Sequence, residues 1–302
     1  MPVLFFLSNA GFPMAEEATL PSPDELTSPV LTPSEAGQGA RHFGAVNWLG
    51  LWTFYQKEVQ RFVKVIFQTV AAPVISTLLF LLVFMLAFGV ARPDVGGVSY
   101  IIFLAPGLIM MAILTNAFAN SSSSLIIGKM QGSIVDILMA PLSAAEIAAG
   151  FIGGAVTRGV LVGLITAITC AAFMATSDPL PVRKGLAILY FALTAAWMFG
   201  TLGVLAGIWA EKFDQLSAIT NFVIQPLTFL SGTFYPISRL PDTFVTASQF
   251  NPVFMLVDGF RYGFTDHAEA SVTVSVLATL VLNIALTTLA YRLLKAGYRI
   301  KS

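Results

Sequence analysis

The chain has 302 residues, of which 56% are hydrophobic and only 11% are charged, and its mean hydropathy is +0.81. Soluble domains carry about 25% charged residues, so this composition excludes a soluble globular protein and indicates a polytopic membrane protein. Lysine plus arginine and aspartate plus glutamate each number 16, which gives no support for nucleic-acid binding. The single cysteine, Cys170, excludes an intrachain disulfide framework.

The first 44 residues differ from the rest of the chain in composition. They contain MAEEATLPSPDELTSPVLTPSEAGQG, a stretch that is rich in Pro, Ser, Thr and acidic residues and has no apolar period. Such a composition is typical of disorder, so residues 1–44 are predicted to form a disordered tail. The apolar run before this stretch is too short for a signal peptide and has no basic flank, which leaves two alternatives, a leader or a true start at Met14.

Residues 47–66, NWLGLWTFYQKEVQRFVKVI, predict an amphipathic helix that lies in the membrane interface. Apolar residues recur there at helical spacing, and the basic residues lie mostly on another face. The alternative is a cytoplasmic extension of the first span. The apolar positions are Trp48, Trp52, Tyr55, Val59, Phe62, Val63 and Ile66.

A membrane-spanning helix needs about 20 mainly apolar residues, and six stretches satisfy this condition. The chain is therefore predicted to be an all-α membrane protein with one domain, 45–302, of six transmembrane helices. The predicted spans are residues 66–90, 100–121, 151–175, 185–209, 216–237 and 271–294. Lysine and arginine are denser in the connections that share a side with the termini, which predicts that both termini are cytoplasmic. The pair Arg183–Lys184 is the dissenting feature.

The stretch FLSGTFYPISRLP, residues 229–241, interrupts the fifth predicted span. Gly232 weakens a helix, and Pro236 and Pro241 cannot continue one. The residues that follow, up to the sixth span, are aromatic and only partly polar. Irregular backbone at membrane depth is tolerated only where protein buries it or a wet cavity borders it. The stretch is therefore predicted to form outer re-entrant helices between spans five and six.

The motifs of common catalytic machinery are missing from the sequence. There is no G-x-x-x-x-G-K-[ST] phosphate loop and no G-x-S-x-G nucleophile turn, and the two histidines are too far apart for a metal site. We therefore expect no catalytic residue, no metal and no cofactor in this chain. Ionisable residues are almost absent from the spans. The exception is Arg158, for which two alternatives remain, snorkelling to the interface or contact with a substrate.

The segment between spans two and three, residues 121–150, predicts a short amphipathic helix on the inner side. Its apolar residues face one side and Asp136 faces another. Pro141 ends this helix, and Ser143 with Glu146 forms a capping-box pattern for the next one. A soluble partner could grip such a helix, and the alternative is a connector without a partner.

Amides and hydroxyls within the apolar spans are candidates for lining a transport path. In span five they recur at steps of three and four residues, which places them on one helix face, and Pro226 predicts a kink there. The alternative is that they bond neighbouring helices. The candidates are Gln68 in span one, Asn116 and Asn120 in span two, and Asn221, Gln225 and Thr228 in span five.

Three stretches together resemble the permease subunits of bacterial type-2 ABC transporters. They are MQGSIVDILMAPLSAAEIAAGFIGGAVTRG (130–159), PLTFLSGTFYPISRLP (226–241) and FNPVFMLVDGFRYG (250–263). The resemblance covers about residues 45–300, and the long acidic tail departs from it. It implies a six-span permease of the bacterial inner membrane that dimerises with itself or with a homologous permease. It also implies two copies of a separate ATPase subunit, in which ATP and Mg²⁺ are bound.

The resemblance further implies roles for particular residues. In such permeases the helix before span one and the loop after span two contact the ATPases, and the segment after span five turns back at the outer face. The residues so implied in ATPase coupling are Lys57, Glu58, Arg61, Asp136, Leu138, Pro141 and Glu146, and those of the outer turn are Gly232, Phe234, Tyr235 and Pro236.

The resulting hypothesis is a permease subunit of an ATP-driven exporter for an unidentified drug-like, lipid or glycan substrate. The alternative from another class is a membrane scaffold or receptor subunit that uses no ATP. An ion-coupled carrier is a third possibility, which the scarcity of acidic residues in the spans disfavours.

Overall fold

The computed structural model describes residues 46–88, 97–175, 178–239, 241, 245 and 248–299. These residues form helices joined by turns, with no extended strand among them, which confirms the all-α prediction. The predicted tail, residues 1–44, lies outside the described residues and stays a prediction.

The helices of the described residues are numbered here in chain order. They are α1 (Trp48–Val63), α2 (Ile66–Phe88), α3 (Tyr100–Met130), α4 (Ile134–Met139), α5 (Ala144–Met174), α6 (Gly185–Trp209), α7 (Phe213–Ile219), α8 (Gln225–Phe229), α9 (Pro252–Thr265) and α10 (Val272–Ala296). A π-helical segment, Thr220–Ile224, joins α7 to α8, and a short 3-10 turn, Ile237–Arg239, follows α8.

Five helices are long and apolar enough to cross a membrane, namely α2, α3, α5, α6 and α10. They confirm the apolar helices predicted for spans one to four and for span six. Two of them extend further than predicted. The serine run 121–124, predicted to open the inner loop, continues α3, and the hydroxyls of Ser121, Ser122 and Ser123 bond helix carbonyls there. Helix α5 begins at Ala144 because the capping box of Ser143 and Glu146 forms as predicted.

The fifth predicted span, 216–237, differs most from the structure. The helical run there extends from Phe213 to Phe229, and it contains the π-helical segment before Pro226. The Gln225 N–H donates to Thr220 O, five residues back, and Pro226 has no N–H to donate. Residues 230–236 are not helical. This run is therefore not among the helices long enough to span, and the count of six spans stays a prediction.

Helix α3 lies at the centre of the bundle. In its most apolar stretch 78% of the residues are buried, against 11% for α2 and 17% for α10, which are peripheral. Helices α5, α6 and α9 pack against α3. Glycine allows the closest approach, since a Cβ atom on Gly203 of α6 would lie 2.5 Å from Phe118 O of α3. The centre is thus packed by backbone contact as well as by side chains.

Candidate functional site

The N-terminus of α1 is tied to the turn between α4 and α5. The Asn47 N–H donates to Glu146 Oε1 at 2.6 Å, and Asn47 Nδ2 donates to Pro141 O at 3.0 Å. The second Glu146 oxygen accepts from the Ser143 N–H at 2.6 Å. One buried carboxylate therefore joins the two segments that were predicted to contact an ATPase. The capping role of Glu146 and its contact with α1 come from the same side chain.

Helix α1 runs beside α5 in the same direction. Phe54 packs on Phe151 and on Gly150, where a Cβ atom would lie 2.2 Å from the Phe54 ring, and Tyr55 OH lies 2.8 Å from Thr157 Oγ1. The residues of α1 that pack inwards differ from the predicted apolar stripe. Its residues Trp48 and Trp52 are exposed, while Phe54 and Glu58, which the stripe omitted, are buried together with Phe62.

A polar cluster joins α1 to α3. Arg61 Nη2 donates to Asn120 O at 2.6 Å and to Asn120 Oδ1 at 3.0 Å, and it lies 3.5 Å from Glu58 Oε2. Arg61 Nη1 donates to Ser123 Oγ, and Ser124 Oγ donates to Glu58 Oε1 at 2.7 Å. Burial raises the pKa of the Glu58 carboxyl, and the charge of Arg61 offsets only part of that effect. Glu58 therefore faces α3 inside the protein and is not available to a soluble partner.

The remaining residues implied in coupling lie at the surface or close to it. Lys57 and Asp136 are exposed, and so is Pro141, whose carbonyl receives the bond from Asn47. Leu138 is half-buried and packs against the core. Met139 adds an apolar side chain that is 80% exposed. Helix α4 thus exposes Met139 in addition to Asp136, and the sequence analysis had not named Met139.

A polar cavity of about 400 Å³ lies between α3 and the run from α7 to α8. Three of the predicted path residues, Asn116, Asn221 and Gln225, meet in its lining. Gln225 Oε1 is buried and has no hydrogen-bond partner among the described residues. Arg158 Nη2 donates to Asn116 Oδ1 at 3.3 Å, which holds the arginine inside the bundle behind the cavity wall. Further polar lining residues are Thr115, Ser122, Ser123, Ser217 and Thr220.

The other three predicted path residues lie elsewhere. Gln68 is exposed on α2, outside the cavity lining. Asn120 is fully buried and belongs to the polar cluster with Arg61. Thr228 is also fully buried, and its hydroxyl donates to Ile224 O at 2.7 Å within the same helical run. Asn120 therefore bonds a neighbouring helix, as the alternative states, whereas Thr228 bonds within its own helical run.

The outer turn has the backbone that its sequence predicts. Gly232 has a φ of +68°, a left-handed conformation that favours glycine, and its carbonyl accepts from Arg261 Nη2 at 2.9 Å. The Phe234 carbonyl accepts from Tyr100 OH at 2.6 Å, and the Phe234 ring packs among Phe80, Phe84 and Phe229. Tyr235 is half-buried and Pro236 is buried. The chain therefore turns at Gly232 and is fastened to the start of α3.

Two charged residues of α9 had no role in the sequence analysis. Arg261 is 2% exposed, donates from Nε to Phe103 O at 3.1 Å and lies over the Phe103 ring. Asp258 is 1% exposed and accepts from the N–H groups of Glu269 and Ala270. The available signal was the capping pattern Asn251–Pro252, which opens a helix rather than a loop. Across the described ranges, no group of three or more His, Cys, Asp or Glu residues is placed to hold a metal ion.

Comparison with known proteins agrees with this architecture. The family described as ABC-2 type transporter matches residues 50–265. The chain is 33% identical to the inner membrane transport permease YadH of Escherichia coli K12 over 255 residues, which cover 84% of this chain and 98% of that protein. It is 28% identical to nodulation protein J of Rhizobium leguminosarum bv. trifolii over 224 residues, 72% of this chain and 81% of the relative. The chain therefore belongs to the ABC-2 type transporter family, as a membrane-embedded permease.

Proposed function

We propose that this permease is the membrane subunit of an ATP-driven exporter of the bacterial inner membrane, with both termini in the cytoplasm. The observation that carries the proposal is the polar cavity between α3 and the run from α7 to α8. The family and the named relative support inner-membrane transport. Direction, substrate and the partner ATPase are part of the proposal.

The cavity has the features of a transport chamber. Its lining combines the amides of Asn116, Asn221 and Gln225 with hydroxyl groups, in a bundle whose other surfaces are mostly apolar. Gln225 Oε1 is buried there without a partner among the described residues, and an unpartnered polar group is costly in hydrocarbon, so water or a polar ligand in the cavity would stabilise it. Its volume falls within the range of about 300–1,000 Å³ that small-molecule sites occupy. A second copy of the permease would complete the chamber, in keeping with the dimer that we propose.

The inner end of the bundle supports a mechanical link to an ATPase. A push on α4 is transmitted to α1 through Asn47 and Glu146, because these residues bond the α4–α5 turn to α1. From α1 the polar cluster of Arg61 and Asn120 continues the link to α3, which lines the cavity. In this proposal ATP and Mg²⁺ bind only in the partner subunits, two per dimer. The permease itself performs no covalent step.

The substrate class remains open among drug-like, lipid and glycan molecules. The named relatives are a transport permease and nodulation proteins, and their names specify no ligand. The cavity lining contains neutral hydrogen-bonding groups on both helices, which suits an uncharged polar part of any of these substrates.

The test is an affinity purification of the tagged chain from native membranes in mild detergent, with co-purifying proteins identified by mass spectrometry. We expect a cassette ATPase with the wild type. The double variant Asp136→Lys/Met139→Asp should lose it, because both side chains are exposed on α4. The control is Tyr298→Asp, a change to another exposed side chain beyond the end of α10, which should retain the ATPase.

Two results would contradict the proposal at different points. Absence of any ATPase from intact wild-type complexes would favour the alternative, a scaffold or receptor subunit that uses no ATP. Retention of the ATPase by the folded α4 variant would keep the exporter but remove α4 from the coupling surface.

A further inference from the structure

The polar cluster between α1, α3 and α5 has more positive than negative charge. Two guanidinium groups belong to it, since Arg61 bonds Asn120 and Arg158 bonds Asn116, one helical turn away on α3. In the described part of the chain, the carboxylate bonded within this cluster is that of Glu58. The cluster therefore carries a surplus of positive charge in a largely buried position. Burying an unpaired charge is costly, so a further anion would stabilise this arrangement.

The hydrogen bonds of the cluster show the same imbalance. Three buried donors have no acceptor among the described residues, namely Arg61 Nε, Arg158 Nε and Asn120 Nδ2. Asn120 is fully buried, and its amide orientation is fixed because Oδ1 accepts from Arg61 Nη2 at 3.0 Å. Each unpaired group is a donor, so what the cluster lacks is an acceptor. Phosphate oxygens are acceptors that suit guanidinium and amide donors.

The cluster opens onto a basic face of α1. Lys57, Arg61 and Lys64 are four and three residues apart, so they share one face of this helix. Both lysines are exposed, and the Arg61 side chain is 28% exposed. The buried positive charge of the cluster is thus continuous with a positively charged surface that a phosphate group can reach.

The depth of the cluster corresponds to the headgroup layer. Asn120 lies roughly 20 residues along α3 from Tyr100, which is about 30 Å and equals the thickness of the hydrocarbon core. Trp48 and Trp52 of α1 are exposed, as expected of residues that sit among lipid headgroups. Basic pockets between membrane helices on the cytoplasmic side bind anionic lipid headgroups.

We propose that the face formed by Lys57, Arg61 and Lys64, backed by Arg158, binds the phosphate headgroup of an anionic phospholipid of the inner leaflet. The bound phosphate supplies the missing negative charge and acceptor, and it holds α1 against α3 and α5. The inference does not rest on transport. It makes the lipid a structural ligand of this permease.

The test uses the purified full chain in a neutral detergent and counts bound lipids by native mass spectrometry. Dilauroyl phosphatidylglycerol and dilauroyl phosphatidylcholine are the paired probes, and they differ in headgroup charge. We expect saturable binding of the anionic lipid, at least tenfold tighter than that of the neutral one. The variant Lys57→Gln/Lys64→Gln should weaken it about tenfold or more, since each basic residue near a surface contributes about 1 kcal/mol.

The controls separate this site from general surface charge. Lys212→Gln/Lys295→Gln removes two exposed lysines from other parts of the chain and should leave binding unchanged. The Lys57/Lys64 variant leaves the buried hydrogen bonds of Arg61 intact, so it tests the site even if Arg61→Gln fails to fold.

Four outcomes would overturn the proposal. The first two are equal affinity for the two lipids and an equal loss of lipid affinity in both lysine variants. The third is displacement of the lipid by about 10 mM inorganic phosphate. The fourth is anionic lipid binding that appears only after the acidic residues of segment 14–38 are replaced by glutamine. The third outcome would indicate a free-phosphate site, and the fourth would make the acidic segment the counter-ion.

Discussion

Glycine at position 232 shows how one residue sets the course of the chain. Its φ of +68° reverses the backbone after α8, and its carbonyl binds Arg261. Gly132, between α3 and α4, has a similar φ of +73° but has no neighbouring atom within 4 Å of a built Cβ. At Gly232 the built Cβ lies 3.2 Å from Ile237 Cγ1. The two glycines therefore share a backbone conformation and differ in their surroundings.

The comparison gives a prediction for two alanine variants. Gly132→Ala should cost about 1 kcal/mol of folding stability, because a Cβ atom is strained in the left-handed region. Gly232→Ala should cost more, since it also pushes on Ile237. Thermal unfolding of the purified variants in detergent measures the difference. Equal midpoints for the two variants would show that Ile237 moves aside without cost.

Some residues have a structural role that the sequence reveals, and others do not. Gly232 and Pro236 predict a break in the helix because glycine and proline release or restrict the backbone locally, and residues 230–236 are not helical. Glu58 was expected on the exposed polar face, since helical spacing alone places charged residues away from the apolar stripe. Glu58 accepts from the Ser124 hydroxyl, 66 residues away in the chain, and its neighbour Arg61 donates to Asn120, 59 residues away. Only the packed structure brings them together.

Among the elements, α9 connects three separate parts of the chain. Arg261 bonds the carbonyl of Phe103 in α3 and that of Gly232 in the outer turn. Asp258, on the same helix, accepts two N–H groups of the segment before α10. The helix therefore fastens three pieces of chain through two buried charges. Hydropathy could not reveal these bonds, because α9 is too short for a span and the sequence predicted only re-entrant helices in this part of the chain.

Replacing Arg261 tests this connection. Arg261→Met keeps the bulk of the side chain but leaves the carbonyls of Phe103 and Gly232 without their donor. We expect faster backbone hydrogen exchange in residues 230–239, measured by mass spectrometry in detergent, with little change in α10. Arg261→Lys retains a charge and one donor position, so it should have a smaller effect. Unchanged exchange in the methionine variant would show that the aromatic cluster around Phe234 is sufficient to hold the turn.

Five long helices were predicted from sequence because apolar length is a local property. The fifth predicted span does not form one long regular helix, since the π-helical segment before Pro226 and the turn at Gly232 interrupt it. The sequence predicts a kink at Pro226. That the irregularity is a π-helical segment before Pro226 depends on the bond from the Gln225 N–H to Thr220 O.

For the whole molecule, the decisive feature is which polar side chains share one cavity. Asn116 and Gln68 are both amides in apolar helices, and the sequence does not distinguish them. The structure does, because α3 is central and faces α7 and α8, while α2 is peripheral. Three of the six candidate residues line the cavity, and tertiary packing determines which three they are.

The location of the cavity predicts that two neighbouring positions differ in their reactivity with a water-soluble reagent. Both Asn221 and Phe222 are exposed, but Asn221 lines the cavity and Phe222 does not. Asn221→Cys should react with a membrane-impermeant maleimide in intact membranes, because thiolates form only in contact with water. Phe222→Cys, which we expect to face lipid, should react little. The native Cys170 is buried and serves as the unlabelled background.

Equal labelling of the two cysteine variants would contradict a wet cavity bordered by lipid-facing residues. Labelling of Asn221→Cys that is blocked by a candidate substrate would identify the occupant as well as the chamber.

The length of α3 has a mechanical consequence. Both α3 and α5 contain 31 residues, about 46 Å at 1.5 Å per residue, while the hydrocarbon core is about 30 Å thick. Each helix is therefore roughly 15 Å longer than the hydrocarbon core is thick, and α4 links the end of α3 to the start of α5. In the proposed exporter, a displacement of α4 would tilt α3 and α5 together. A tilt of only about 5° about the outer end moves α4 by about 4 Å, so a small stroke there reorients the whole cavity wall.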